Sequence, residues 1–293
     1  MIIAQITGGL GNQMFQYAGA KALALHLNTN LKLDLENYDR EILPELEVPR
    51  SFELPSFKKF EFSRATLEEI SSFTSTNNFC KKLQKFLPPH KRKVYIEKGY
   101  KFDKNFFKAN ETVYLRGHRQ SEKYFEPYQN EIRNTYQIKN DLIIEVNDIG
   151  EQIASQISLS IHVRRGDYLR LPIILDWHGV LGLDYYKEAI KKVQAVHPNV
   201  NIYYFTDDIE WVSTELASIF PGTILSEEIS KTHYHDFYLM SQCRHNIIAN
   251  SSFSWWAAWL NNNPEKIVIA PKKWFNKPVL DTTDLIPKGW IRI

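Results

Sequence analysis

The sequence predicts an α/β protein made of two parallel-sheet halves, each covered by helices. Three observations carry this. Strand-like runs alternate with helical periodicity, most regularly after residue 157. Residues 2–6 (IIAQI) lead through a glycine turn into a helical pattern, which is how an α/β unit opens. Polar, glycine or charged residues also crowd the positions just past four strands, where parallel sheets place their ligands.

The elements follow in order. Residues 2–6 read as a buried strand, and Gly8, Gly9 and Gly11 as a flexible turn. From Asn12, taken as the N-cap, to residue 27, apolar side chains recur at helical spacing: Met14, Phe15, Tyr17, Ala18, Ala22, Leu25. Residues 31–35 are the next strand. Residues 37–63 are irregular, with prolines at 44, 49 and 55. Residues 64–93 read as a polar helical stretch closing on Pro88, Pro89 and the basic run 90–93 (HKRK). That run reads as a solvated face, with contact to an anionic membrane or a substrate phosphate as the second reading. A strand over 112–116 and a helix over 121–137 complete the first half.

From 158 the alternation is cleaner. Strands fall at 158–163, 201–205, 223–225, 246–249 and 266–269, with helices at 183–196, 209–220, 235–244 and 254–261 between them. Trp255, Trp256 and Trp259 read as core. The stretch 139–156 has only partial patterns, so the boundary is placed there, giving domains 1–150 and 151–293. A length of 293 residues also fits two domains, at roughly 100–200 residues each.

Composition narrows the function. A net charge of +2 argues against a general nucleic-acid binder, so any anion site is local. Cys80 and Cys243 are the only cysteines, too few for a disulfide framework or a thiolate zinc site. They lead to the expectation of a reducing, cytoplasmic setting. The first residues lack the basic start and apolar run of a signal peptide, and no window approaches the roughly 18 apolar residues of a membrane span. The sequons at Asn110 and Asn250 are then read as chance.

The strand ends hold the candidate chemistry. After 158–163 come His162, Arg164, Arg165 and Asp167; after 201–205 come Asp207 and Asp208. After 246–249 come Asn250, Ser251, Ser252 and Ser254; after 2–6 come Gly11, Asn12 and Gln13. Guanidinium groups offer planar donor forks suited to phosphate. In an extended segment the two arginines point opposite ways, so one can meet a ligand while the other pairs with an acid such as Asp167. An Arg–Asp structural pair is the bland alternative. Serines opening a helix make an anion site, or merely cap it. Asp207 and Asp208 cap the next helix, or one of them accepts a hydrogen bond from a ribose or base.

The glycine turn lacks the third glycine or alanine of G-x-G-x-x-G, and no G-x-x-x-x-G-K-[ST] exists, which disfavours a dinucleotide cofactor and rules out a P-loop. Metal-ligand patterns are poor: no His-x-x-x-His and no Asp-x-Asp. Without a metal, arginines and helix starts would have to neutralise a leaving diphosphate.

Four stretches in this order, GGLGNQMFQYAGAKALA, SIHVRRGDY, YYFTDD and ANSSFSWWAAWLN, together resemble glycosyltransferase family 11, the inverting α-1,2-fucosyltransferases. The likeness runs from residue 3 to about 274 and is weak over 37–110. It implies a GT-B architecture, two Rossmann-like domains facing across a cleft. It implies no metal or other cofactor, with GDP-fucose as donor and a galactose-terminated glycan as acceptor. Carried onto this chain, Arg164 or Arg165 would hold the β-phosphate, and His162 and Asp167 would shape that loop. Asp207 and Asp208 would lie near the guanosine. Ser251, Ser252 and Ser254 would bind the diphosphate. Gly11, Asn12 and Gln13 would approach the fucose and the acceptor hydroxyl.

Inversion at the anomeric carbon needs charge stabilised on the departing diphosphate and an aligned acceptor hydroxyl. His178 has a suitable intrinsic pKa for a base, and Asp167 is the other candidate. A dissociative transition state with late proton loss needs neither, and the sequence leaves the two open. The alternatives are another donor or linkage such as α-1,6-fucosyl transfer, and a nucleotide- or sugar-binding protein without catalysis. A lipid-linked acceptor or peripheral membrane contact also stays open.

Overall fold

The computed structural model describes residues 1–40, 49–75, 84, 86–277 and 280–293, the side chain of Asp167 excepted. Cys80 and Pro44 therefore lie outside the described residues. The chain forms two compact units. One comprises Met1–Gln137 with Asp281–Pro287, the other Ile138–Leu280 with Lys288–Ile293.

The first unit is built on a five-stranded sheet. Its strands are β1 (Ile2–Gln5), β2 (Leu31–Asp34), β3 (Ser63–Arg64), β4 (Val94–Ile96) and β5 (Val113–Arg116), in the order β3-β2-β1-β5-β4. Every pairing is parallel. Ile2, Ile3 and Ala4 of β1, and Val113, Tyr114 and Leu115 of β5, are all buried. Burial on both faces explains why these runs are continuous rather than alternating. The helix Leu10–His26 covers the sheet through Met14, Phe15, Ala18 and Ala22. It begins two residues before the expected start. Gly9 is the N-cap and no side chain caps the helix, so Asn12 sits in its first turn and is not the cap. Gly8 turns the chain at φ +78, where glycine carries no Cβ penalty.

Of the expected helical stretch 64–93, Leu67–Thr74 is an α-helix locked by a reciprocal cap. The Thr66 hydroxyl accepts the Glu69 N–H, and the Glu69 carboxylate accepts the Thr66 N–H at 2.9 Å. Residues 76–83 and 85 lie outside the described residues. The expected helix over 121–137 divides into turns at Glu122–Tyr124 and Glu126–Tyr128, then the short helix Gln129–Thr135. Pro127 is the cause: it has no N–H to continue an α-helical ladder.

The second unit carries a six-stranded parallel sheet. Its strands are β6 (Ser158–Val163), β7 (Asn201–Thr206), β8 (Thr223–Ile224), β9 (His245–Ile247), β10 (Val268–Ala270) and β11 (Ile291–Arg292), in the order β11-β10-β9-β6-β7-β8. Leu159, Ile161, Tyr204, Ile247 and Ile269 pack on Tyr186, Ile190 and Val193 of the helix Leu183–Gln194. Trp255, Trp256 and Trp259 are core, all buried on the helix Ser252–Leu260.

The helix Asn147–Ala154 belongs to this unit, so the unit begins at Ile138 and not at 151. The reason is its docking on the helix His233–Gln242. Tyr238 donates to Asn147 Oδ1 at 3.2 Å, and a Cβ on Gly150 would come within 2.5 Å of the Tyr238 ring.

Strand order reverses beside β6 in this unit, with β7 and β8 on one side and β9, β10 and β11 on the other. In the first unit it reverses between β1 and β5. Loops leaving the carboxyl ends at such points form the crevices that α/β proteins use for ligands.

Candidate active site

At the end of β6 the chain leaves the sheet with Arg164 and Arg165, and both guanidiniums run to the loop after β7. Arg164 Nη1 lies 3.2 Å from Asp207 Oδ2. Arg165 Nε donates to Asp208 Oδ2 at 2.9 Å, and its backbone N–H donates to Asp207 Oδ1 at 2.8 Å. The Arg165 guanidinium also lies over the Trp211 ring, 4.3 Å from its centre. The acids that meet the arginines are thus Asp207 and Asp208. Asp167 falls in the short helix Gly166–Arg170, and its side chain lies outside the described residues.

Asp208 is also the N-cap expected for it, accepting the Trp211 N–H at 3.1 Å. Gly166 lets the two loops meet: a Cβ there would approach Asp207 Oδ2 to 3.1 Å. With Nε committed to Asp208, Arg165 keeps two terminal amino groups that make no hydrogen bond among the described residues. This is an arginine held in place by one edge and available by the other.

His162 is buried in β6 with its ring 5.9 Å from that of Phe253. Beyond β9, Ser251 is the N-cap of Ser252–Leu260, yet its hydroxyl makes no capping hydrogen bond. Ser251 and Ser252 are partly exposed at the helix start, where the first backbone N–H groups have no intrahelical partner. Ser254 is buried and donates to Ser251 O at 3.3 Å, a structural use.

Asn250 departs from the ligand role expected of it. It is buried, and its Nδ2 donates to the carbonyl of His178 at 2.9 Å, with the carbonyls of Gly179 and Trp274 also in reach. It fastens the loop after the helix Pro172–His178 to the sheet. His178 is sandwiched between aromatic rings, Tyr168 at 5.0 Å and Phe275 at 5.3 Å.

The sequence reading passed over Asp236. It accepts the Ser226 hydroxyl at 3.0 Å, and Ser226 Oγ in turn accepts the Thr206 N–H at 2.9 Å, just where β7 ends. Burial pushes the Asp236 carboxyl up to about 6, although hydrogen bonds from Ser230 and Ser226 oppose the shift.

In the first unit, the loops after β1 and β5 meet. Asn12 Oδ1 accepts from Gln120 Nε2 at 2.8 Å. Gln16 links Thr7 to His118: its Oε1 accepts the Thr7 N–H at 2.8 Å, and its Nε2 lies 3.2 Å from His118 Nδ1. Gly11 is buried inside the first helical turn. Gln13 is not available to a ligand. It is fully buried, its Nε2 donates to Gly8 O and Ser51 O, and its Oε1 accepts the Glu53 N–H. It clamps the segment around residues 51–53 onto the glycine turn.

Comparison with known proteins places this geometry. The glycosyl transferase family 11 model matches residues 1–293. The chain belongs to glycosyltransferase family 11. It is 31% identical to an α-1,2-colitosyltransferase of Escherichia coli over 100% of this chain and 99% of that one. To the O-antigen biosynthesis glycosyltransferase WbnK of Escherichia coli it is 32% identical, over 92% of this chain and 93% of that one. A galactoside α-(1,2)-fucosyltransferase 1 of Gorilla gorilla gorilla is 26% identical over 86% of this chain and 63% of that one. Among solved structures, the fucosyltransferase NodZ from Bradyrhizobium superposes with a TM-score of 0.53 at 15% identity, covering 88% of this chain and 92% of that one. That likeness shows a shared fold of the GT-B type.

As a family 11 glycosyltransferase the chain uses a nucleotide-sugar donor and a glycan acceptor. Among the described residues, no three His, Cys, Asp or Glu side chains gather as metal ligands. None of its described helices is long and apolar enough to cross a membrane.

Proposed function

We propose that this family 11 enzyme transfers L-fucose from GDP-β-L-fucose to the 2-hydroxyl of a terminal β-galactoside, inverting the anomeric centre without a metal ion. One observation carries the reading: two guanidiniums, oriented by Asp207 and Asp208, stand at the carboxyl end of β6 beside the switch point of the sheet. A leaving diphosphate gathers negative charge as the sugar departs. Arg165 meets it with terminal amino groups already fixed in direction, so little reorganisation opposes the reaction. Across the switch point, the Ser251 and Ser252 hydroxyls and the helix start add donors for the same phosphates. Asp207 and Asp208 offset the arginine charges until the anion arrives.

Within the first unit, the joined amides of Asn12 and Gln120 suit aligning an acceptor hydroxyl rather than activating it. His178 and Asp167 are the two candidate bases. Kinetics of His178→Ala and Asp167→Asn decide between a base and late proton loss: catalysis lost with GDP binding intact requires a base.

The test of the whole reading is transfer from labelled GDP-fucose to an array of galactosides in the presence of a chelator. Acceptor-dependent GDP release that survives chelation supports it; GDP-fucose binding without such release overturns it. A colitosyl donor is the second reading, favoured by the α-1,2-colitosyltransferase that matches the full chain at 31% identity. Competition between the two donors at equal concentration separates them.

A further inference from the structure

Residues 86–108 contain seven lysines and arginines and two acids, Glu97 and Asp103. This stretch alone carries a net charge of +5, while the whole chain carries +2, so the rest of the molecule is net acidic and the excess is local. Both acids are engaged inside the fold. Glu97 Oε2 accepts the Arg119 N–H at 2.7 Å. Asp103 accepts the Tyr95 hydroxyl at 2.5 Å and the Asn105 N–H at 2.9 Å. The lysines are different: Lys91, Lys93, Lys98, Lys101, Lys104 and Lys108 are all exposed. Among the described residues only Lys101 of these six has an acidic partner, Asp281 at 3.4 Å.

Apolar side chains stand among these cations. Phe86 is 87% exposed, the highest value among the large apolar residues described, and Leu87 and Ile96 are exposed as well. The segment presents them together. β4 is an edge strand, paired with β5 alone, in which Tyr95 is buried and Ile96 is not. Pro89, Ile96, Lys98 and Lys101 border one cavity of about 170 Å³, so the turn before β4 and the loop after it share a surface.

The turn is ordered before any partner arrives. The Leu87 N–H donates to Gln84 O at 3.2 Å, and the Lys91 N–H donates to Pro88 O at 2.9 Å. Arg92 Nε donates to Leu87 O, the Lys93 N–H to Gln84 Oε1 and Asn110 Nδ2 to Lys91 O, each at 2.9 Å. Pro88 and Pro89 fix two more backbone angles. A tip held in this way loses little freedom on docking.

The chemistry selects among partners. A soluble polyanion would meet the lysines and leave Phe86, Leu87 and Ile96 in water. Lysines on an edge strand also guard it against pairing with another sheet, but that task needs no exposed phenylalanine. A bilayer with anionic headgroups uses both features: its phosphates attract the ammonium groups, and its acyl boundary takes the apolar side chains. Six of the seven cations are lysine, which suits diffuse attraction to a charged surface rather than a two-pronged grip on a single phosphate.

We propose that this edge of the first unit docks on an anionic phospholipid bilayer, with Phe86, Leu87 and Ile96 entering the headgroup region and the flanking lysines meeting lipid phosphates. The proposal does not rest on the fucosyl-transfer reading. Glu97, one residue past Ile96, touches Arg119, and the next residue, Gln120, bonds to Asn12. A docked chain therefore holds those loops on the side where a lipid-anchored glycan would stand.

The test is flotation of the full chain with vesicles of phosphatidylcholine alone and of phosphatidylcholine mixed with phosphatidylglycerol, without donor or acceptor. The expected result is binding to the mixed vesicles only, weakening as salt is added. Lys91→Glu combined with Lys93→Glu should lower the partition coefficient about a hundredfold or more, since each basic residue near such a surface is worth about fivefold. Phe86→Ser should lower it about tenfold. All three side chains are exposed, so the thermal midpoint stays near that of the parent. GDP affinity should also be unchanged; a fall in the charge-reversed variant assigns the basic run to a nucleotide phosphate and overturns the proposal. Equal binding to both kinds of vesicle, or binding that neither variant weakens, overturns it too. So does binding that inorganic polyphosphate displaces and Phe86→Ser leaves intact, which marks a soluble polyanion as the partner. Failure of fucosyl transfer leaves every one of these measurements unaffected.

Discussion

Gln16 fixes which nitrogen of His118 carries the proton. The Thr7 N–H can only donate, so the amide oxygen of Gln16 must face it at 2.8 Å, and the amide nitrogen must face His118 Nδ1 at 3.2 Å. His118 Nδ1 is therefore the acceptor, and Nε2 bears the hydrogen. Burial, then the neighbouring Arg119 charge, lowers the His118 pKa.

A histidine whose folded pKa lies below its unfolded value favours folding while neutral and loses that contribution as pH falls beneath about 6.5. Long-range ¹H–¹⁵N spectra should show His118 as the neutral Nε2–H form at pH 6.5. Gln16→Glu, which places an acceptor where a donor stood, should move the proton to Nδ1 and return its titration to the usual range. An unchanged tautomer in that variant would contradict the assignment.

Arg165 is held by a carboxylate on its Nε edge and by the Trp211 face. Arg165→Lys keeps the charge and loses both the fork and the stack. Its kcat should fall about a hundredfold, the scale of losing one preoriented donor to a developing anion. Trp211→Ala should fall by less, about tenfold, because Asp208 still directs the guanidinium. Single-turnover rates with saturating donor measure both.

Gly166→Ala tests the spacing of the same loops. The added methyl would approach the Asp207 carbonyl oxygen to 3.0 Å and Asp207 Oδ2 to 3.1 Å, so Asp207 must move. Its bonds to Arg164 and to the Arg165 backbone should weaken together. The expected outcome is weaker GDP binding by calorimetry, with a thermal midpoint close to that of the parent.

Asp236 links stability to pH in the direction opposite to a typical salt-bridged acid. Its folded pKa of about 6 stands above the ordinary 3.8, so the neutral acid is favoured in the fold. The contribution is complete below about pH 4 and is lost as pH rises through 6, a difference of about 3 kcal/mol. Asp236→Asn should raise the thermal midpoint above pH 7, change it little below pH 4, and flatten the profile between.

Much of this arrangement was legible in the sequence. Arg164, Arg165, Asp207 and Asp208 follow predicted strands, and the parallel pairing of β6 with β7 brings those two loops side by side. The pairing of each arginine with an aspartate beyond the next strand was not legible, because it depends on the direction in which each loop leaves the sheet. Gln13 and Asn250 looked like ligand residues because they flank glycine and serine motifs. Burial turned both into clamps that hold backbone carbonyls.

His118 and Gln120 were missed although Gly117-His-Arg-Gln120 trails the strand at 112–116 much as the other stretches trail theirs. β4 gave no signal, since it is only three residues long and follows a basic, proline-rich run. The helices Gly166–Arg170 and Pro172–His178 were hidden by Pro172, which reads as a breaker in sequence but sits at a helix start, where a missing N–H costs nothing.

The chain does not finish one unit before building the other. Residues 281–287 return to the first, where Asp284 accepts the Phe102 N–H at 3.0 Å and pairs with Lys123; β11 then completes the edge of the second sheet beside β10. Neither half is therefore encoded by an uninterrupted stretch of gene. Cutting the polypeptide after residue 280 deprives both halves at once, and neither can close until the residues beyond 280 have left the ribosome.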